Sequence, residues 1–361
     1  MRALAAIGLL LLAACSSPAS SARASPAPVA SAPNCSLPVY WYEGDVPSMA
    51  HTGFFHYPQG TVQGESTMAV RSANDAFVAP AATYDRVVDR WLPVTPDAIS
   101  PDGLQFAYAD YDLVALTRAG GRTVPMAGAL ATTGRVHVVD ARRGADHIVF
   151  KGSPTYRVVG YTADGIYLAT VLLTMDGMLA SDLFVMTQDG GAPKPVAGGS
   201  RPLDRAGWEV DGAYAWGSDF ATEGGITGGN RILSLDLKTG AIQVWKTWPE
   251  GVATFVIGLD AQGHPIVGAY PAYQTTPGSS PAIPGLQVWT LSSPGVGKLV
   301  YQTADRNAIL PAGPAFADSH GVWIGGSPPS SVWLLTAGAG LSRVPVPVTG
   351  LGWVGVGGQC V

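Results

Sequence analysis

His51 and His56 stand five apart in "HTGFFHYP", the nearest approach to a ligand pair among the six histidines of this 361-residue chain. Two imidazoles can share a metal ion only if both leave the backbone on one side. Side chains alternate along a strand, so an odd separation sends these two to opposite faces, and a shared ion would need a bulge or loop between them. His137, in "RVHVVD", reads as a strand residue, packed or exposed. The cysteines, at positions 15, 35 and 360, lack the short spacing of a zinc site. Asp110 and Asp112 in "ADYDLV" offer oxygen atoms of the kind calcium takes. No glycine-bearing acidic loop follows them, so a solvated turn is expected. No Gly-x-Ser-x-Gly nucleophile elbow occurs. The spacing therefore points to no catalytic residue, no metal and no cofactor.

Any site must then be assembled from separate elements, and composition indicates what those are. The chain is 47% hydrophobic and only 13% charged, with 46 glycines and 29 prolines. Many turns and few charged helix faces point to an all-β chain. The net charge of −5, with no run of lysine and arginine, leaves the phosphate-neutralising contribution of a nucleic-acid binder unsupplied. Nucleic acid is excluded as a partner. After residue 14 no run of 18 apolar residues could cross a bilayer as a helix.

The all-β chain repeats itself. "AISPDGLQFAYA" (98–109), "GYTADGIYLATV" (160–171), "GWEVDGAYAWGS" (207–218), "GLDAQGHPIVGA" (258–269) and "AFADSHGVWIGG" (315–326) each place a small glycine turn before an apolar run. Each is followed by a strand, a polar glycine turn and a second strand, beginning at 134, 181, 230, 285 and 330. An inner turn and an outer hairpin recurring every 47 to 62 residues is the layout of a β-propeller blade. Five units are complete. Residues 35–97 supply three or four more strands, and "LGWVGVGGQCV" supplies one at the other end. Together they predict six blades of four antiparallel strands, with seven the alternative and the ring closed by pairing the terminal strands.

"ISPDGLQFAYA" resembles the repeat of TolB-type and related WD40-like propellers, whose blades carry Ser-Pro-Asp-Gly before a strand. The resemblance is strong in that blade, diffuse in four others and absent from 35–95. It implies a propeller in an extracytoplasmic setting and assigns no catalytic residue. "LSLDLKTGAIQVW" resembles in part the tryptophan-docking repeat of quinoprotein propellers. Trp245 lies one residue too far from Thr239-Gly240, however, and Asp-x-x-Thr-Gly is also a common hairpin turn. Arg157, Asp204, Arg205 and Arg306 precede inner strands and are the candidate binding residues at the channel mouth. The segments 217–230 and 270–285 are long enough to form a lip there. Trp289, Trp323 and Trp333 fall inside apolar strands and are expected between blades. Trp41, Trp91 and Trp248 have polar or proline neighbours and are the tryptophans placed to edge a binding surface.

At the N-terminus a short basic start and an apolar stretch of eleven residues end in Leu12-Ala13-Ala14-Cys15. This resembles the lipobox of bacterial lipoproteins, which implies cleavage after residue 14 and a diacylglyceryl group on Cys15. Two or more acyl chains anchor stably where one does not. Residues 15–34, rich in Ser, Ala and Pro, form a flexible tether, and 35–361 the propeller domain. With Cys15 lipidated, Cys35 and Cys360 are the thiols that remain in an exported chain, where a bridge is permitted. A propeller brings its two ends into one blade, so a Cys35–Cys360 disulfide is expected.

The functional expectation is a monomeric, lipid-anchored module on the extracytoplasmic side of a bacterial membrane. It binds or scaffolds an envelope protein or a small ligand. The alternative is an enzyme, a lyase or glycan-active hydrolase, with its site in the central channel.

Overall fold

Each apolar strand pair flanking a glycine turn lies within its own twisted sheet. A computed structural model describes residues 34–42, 49–69, 81–113, 116–119, 122–125, 131–174, 177–201, 203, 207–219, 229–271, 283–305, 308, 311, 313–326, 330–348 and 353–361. The chain opens with β1 (Cys35–Trp41), β2 (Met49–Tyr57) and β3 (Thr61–Ala69). A ribbon of β4 (Thr83–Asp85) and β5 (Arg90–Leu92) follows, then a 3-10 turn at Pro96–Ala98. β6 (Gln105–Leu113) is separated from β9 (Ala131–Asp140) by a second ribbon, β7 (Leu116–Ala119) with β8 (Arg122–Pro125). β10 (Asp146–Gly152) completes that sheet.

Three regular sheets come next. The first is β11 (Tyr156–Thr162), β12 (Gly165–Thr174), β13 (Gly177–Met186) and β14 (Lys194–Ser200). The second is β15 (Glu209–Asp211), β16 (Tyr214–Asp219), β17 (Arg231–Asp236) and β18 (Ile242–Thr247). The third is β19 (Val252–Leu259), β20 (Pro265–Pro271), β21 (Leu286–Ser293) and β22 (Val296–Thr303). A fourth comprises β23 (Ala315–Asp318), β24 (Gly321–Ile324), β25 (Ser331–Thr336) and β26 (Gly340–Pro345), and β27 (Val354–Val356) ends the chain.

The six sheets are the blades of a six-bladed β-propeller. Four run in simple meander order, and the closing blade has the order β27-β1-β2-β3. The second blade is β10-β9-β6, with Ile99 bridging to Phe106 in the place of an innermost strand. Of the strand signals in 35–97, three join the closing blade, while "YDRVVDRWL" forms the separate β4–β5 ribbon. The five repeat glycines all carry positive φ: 70° at Gly103, 141° at Gly165, 56° at Gly212, 77° at Gly263 and 136° at Gly321. Two are also crowded, since a Cβ would lie 2.3 Å from the Met186 carbonyl at Gly165 and 2.2 Å from that of Leu335 at Gly321. In the SPDG turn, Asp102 Oδ1 accepts from the Leu104 amide at 3.0 Å and from the Ser100 hydroxyl at 2.7 Å. Ser100 Oγ in turn accepts from the Gln105 amide at 2.9 Å, so the tetrapeptide holds its own bend.

The core lies between blades. Trp323 and Val332 of the last blade interdigitate with Leu37, Trp41, Phe55 and Val354 of the closing blade. Trp208, Val210 and Leu233 do the same against Val159, Tyr167 and Leu183. Trp323 and Trp333 are buried between blades, and Trp289 is half-buried against the cluster that Trp216 and Ile232 of one blade form with Val267 of the next, as expected. Trp41 (1% exposed) and Trp248 (4%) are buried as well, so neither edges a surface. Trp41 follows Leu37 and Val39 on one face of β1, and that alternation outweighs its polar neighbours. Trp91 packs against Phe54 and Tyr84.

The ends meet as the repeat implied. β1 pairs antiparallel with β27, Val39 opposite Val356. Beyond β27 the Gly357 amide donates to the Pro38 carbonyl at 2.8 Å, and the Val361 amide to that of Ser36 at 3.1 Å. A disulfide joins Cys35 to Cys360, with their Cα atoms 5.2 Å apart. Arg86, beside the β4–β5 ribbon, donates to the Cys360 carbonyl.

Candidate functional site

The innermost strand of each blade faces the ring axis, and three successive blades bring ionisable groups there. Asp97 sits in the 3-10 turn, Arg157 near the start of β11, and Glu209 with Asp211 on β15. Val210, between the two acids, is buried in the interblade core, so Glu209 and Asp211 share the opposite face. Pro96 opens the 3-10 turn with no amide to donate, which suits a one-turn element before the Ile99 bridge.

The electrostatics couple these residues. Removal from bulk water pushes Glu209 from 4.5 up to about 7; the Arg157 charge opposes the rise and Asp97 adds to it. Burial also raises Asp97, against a Thr95 hydrogen bond and the same Arg157 charge. Asp211, exposed at the end of β15, is also raised, through the partial loss of its hydration. One guanidinium therefore serves two carboxyl groups, and Glu209 exchanges its proton near neutrality. Such a cluster can accept hydrogen bonds from hydroxyl or ammonium groups, and Glu209 can give or take a proton.

Of the residues singled out in the sequence, Arg157 belongs to this cluster. Asp204, Arg205, Arg306 and Cys15 lie outside the described residues, as do 220–228 and 272–282 of the two proposed lip segments. His51 pairs opposite Trp41 and stacks on it, while His56 pairs opposite Ser36, so the two rings do occupy opposite faces. His56 bonds Ser36 through Nδ1 (3.0 Å) and Gln63 through Nε2 (2.9 Å), beside a cleft of about 330 Å³ that Phe54, Tyr84 and Val361 also line.

Asp110 and Asp112 are not in a turn. Both lie in β6, and Asp110 meets Arg135 of β9 at 2.5 Å. The alternation that runs through "QFAYADYDL" carries the strand past both acids. His137 is packed: it stacks on Tyr108, and its Nδ1 lies 2.8 Å from Asp146. Around Trp245 the Asp236 carboxylate accepts from the Lys238 and Thr239 amides and Gly240 has φ 73°, which is the hairpin reading of that segment.

Sequence reasoning passed over Asp97 and Glu209, whose usable signal was the place each holds just before or at the start of an inner strand, as with Arg157. It also passed over Asp318 and His320. These lie in the "ADSHG" turn of the last blade, whose neighbour had to be the closing blade and its cysteines.

No protein-family model and no curated protein matches the chain. TolB from Acinetobacter baumannii is similar at 12% identity with a TM-score of 0.44, over 90% of this chain and 64% of that one. An oligogalacturonate lyase from Vibrio parahaemolyticus is similar at 10% identity and TM-score 0.42, over 81% and 88%. A streptogramin B lyase is similar at 12% identity and 0.35, over 68% and 74%. The chain thus spans less than two thirds of TolB.

Proposed function

We propose that the protein is a lipid-anchored binding module of the cell envelope whose ligand site is the inner-strand cluster of Asp97, Arg157 and Glu209. In this reading residues 1–14 are a signal peptide, Cys15 carries the lipid, and 15–34 tether the ring to the membrane. The proposal extends to Asp204, Arg205 and Arg306 as further binding residues, since each precedes an inner strand in the sequence. The observation that carries the reading is the convergence of acids and one arginine from three consecutive blades. The ligand it suits is polar, with hydroxyl or ammonium groups that donate to the carboxylates while Arg157 holds an acceptor.

Calorimetry against envelope glycan fragments, amino sugars and short peptides tests it. A ligand is expected whose affinity falls at least tenfold in both Glu209→Gln and Arg157→Ala. Ligands indifferent to both substitutions, or none across the panel, would overturn the site. Cys15→Ser is expected to move the protein from the membrane to the soluble fraction or leave it unprocessed.

A second reading, a channel enzyme, is favoured by one observation: Glu209 titrates near neutrality, where a general acid or base works best. Consumption of the bound ligand, lost in Glu209→Gln with binding retained, distinguishes it from the binder.

A further inference from the structure

The disulfide that closes the ring is built into a second constellation. Asp318 and His320 of the last blade lie against it, and one ligand atom each of Cys35, Asp318, His320 and Cys360 can be chosen so that all four lie within 4.8 Å of one another. The group is shielded: the Asp318 and His320 side chains are 10% and 5% exposed. It is also held in place. Asp318 Oδ1 accepts from the His320 amide (2.7 Å) and contacts its Nδ1 (3.1 Å), while Oδ2 accepts from Trp323 Nε1 (3.0 Å) and the Cys360 amide (3.3 Å). Tyr57 packs edge-on against both His320 and Trp323.

While the sulfurs are bonded to each other they are poor ligands. As thiolates they are strong ones, and two thiolates, an imidazole and a carboxylate form a donor set that tetrahedral zinc accepts. Zinc–ligand bonds of about 2.0–2.3 Å place neighbouring donor atoms roughly 3.3–3.8 Å apart, so four donors that lie within 4.8 Å of one another reach that spacing by local shifts, the two sulfurs moving apart once their bond is broken.

We infer that the Cys35–Cys360 clasp is a redox-gated zinc site: oxidised, it closes the ring by a disulfide, and reduced, by a metal ion held with Asp318 and His320. A dithiol reductant, of the thioredoxin type or dithiothreitol, gives up two electrons and two protons and becomes a disulfide, leaving two thiols on the protein. Zinc then displaces those two protons to solvent, and the ends of the ring remain joined. The sites differ in what they require: the inner-strand cluster needs no redox change, whereas this one cannot form until the bridge opens.

The experiment uses the full chain, reduced with dithiothreitol, freed of reductant under argon and then given zinc or cobalt. One zinc per chain is expected in the reduced protein and none in the oxidised form. Cobalt is expected to bring tetrahedral and thiolate-to-metal absorption, and zinc to raise the melting temperature of the reduced protein. His320→Ala and Asp318→Asn are each expected to weaken zinc binding at least tenfold. Because either variant could disturb the blade, near-ultraviolet circular dichroism of the oxidised variants checks the fold, and Cys360→Ser provides an independent loss of binding. Failure of the folded reduced chain to take up zinc, uptake unchanged in His320→Ala, or cobalt binding without a thiolate band would overturn the inference. So would collapse of the ring on reduction that zinc does not reverse.

Discussion

Arg231 grips the carboxylate of Asp219 with two hydrogen bonds, Nε to Oδ1 at 2.7 Å and Nη2 to Oδ2 at 2.8 Å. Arg201 adds Nη2 to Oδ2 at 2.9 Å. Asp219 is 2% exposed and sits where β16 gives way to the long connection into β17, so one buried anion ties β16 and β17 to the residue that follows β14 of the preceding blade. Removing it takes this carboxylate away from two guanidinium groups. They are 24% and 32% exposed and can partly rehydrate, which places the expected cost of Asp219→Ala at about 2–4 kcal/mol, below that of a fully enclosed pair. Denaturant unfolding is the measurement. A cost under about 0.5 kcal/mol would reduce the cluster to a surface ion pair.

Cys360→Ser opens a loop spanning 325 positions. Chain entropy assigns such a bridge about 5–6 kcal/mol, an upper bound since the β1–β27 pairing survives without it. The expected result is a melting temperature lower by several degrees, with dithiothreitol producing the same fall in the wild type in metal-free buffer. An equal melt with and without the bridge would mean that strand pairing alone closes the ring.

Much of this architecture is legible in the chain. Gly165 and Gly321 are required by backbone geometry, and turns that need glycine leave a regular trace. The alternation of Leu37, Val39 and Trp41 marks one buried face of β1. What escapes is whatever depends on how neighbouring blades rotate against each other. Asp97 and Glu209 are 112 positions apart, and each alone reads as a charge at a strand end. Only the ring places them around Arg157. The thinned inner edge of the second blade escapes too, because Ile99 makes a single bridge where the repeat suggests a strand. Asp318 and His320 sit in an ordinary turn, and their meaning comes from the cysteines of the next blade.

Gly355, in the middle of β27, has no room for a side chain. A Cβ there would lie 2.2 Å from Cζ of Tyr40 and 2.6 Å from its hydroxyl oxygen. Tyr40 is fully buried and boxed in by Tyr42 and Trp353, so it has nowhere to retreat. Gly355→Ala is expected to cost about 1–3 kcal/mol through overpacking at the ring seam. Tyr40→Leu should relieve part of that cost when combined with it, giving a favourable coupling in a double-mutant cycle. Additive effects of the two substitutions would show that the clash is absorbed elsewhere.

Glu209 should leave a signature in the pH dependence of stability. Its carboxyl titrates near 7 in the folded ring, against 4.5 ordinarily, chiefly because the blades strip water from its charged form. Between those values the folded protein holds a proton that the unfolded chain has released. Stability therefore falls as pH rises through this window. The favourable contribution is complete below about 4.5 and gone above about 7. Asp97, raised for the same reason, pushes in the same direction from its lower starting point, and Arg157 restrains both. Glu209→Gln keeps the shape and removes the titration. In melts taken at half-unit steps from pH 4.5 to 7.5, the wild-type curve should lose ground relative to the variant as pH rises, the gap widening up to about pH 7 and then levelling. Arg157→Met should steepen the wild-type slope and move its midpoint upward, since the charge that favours ionisation is gone. Parallel curves for wild type and Glu209→Gln would show that Glu209 keeps its ordinary acidity, and would remove the ground for acid–base chemistry by Glu209 in this cluster.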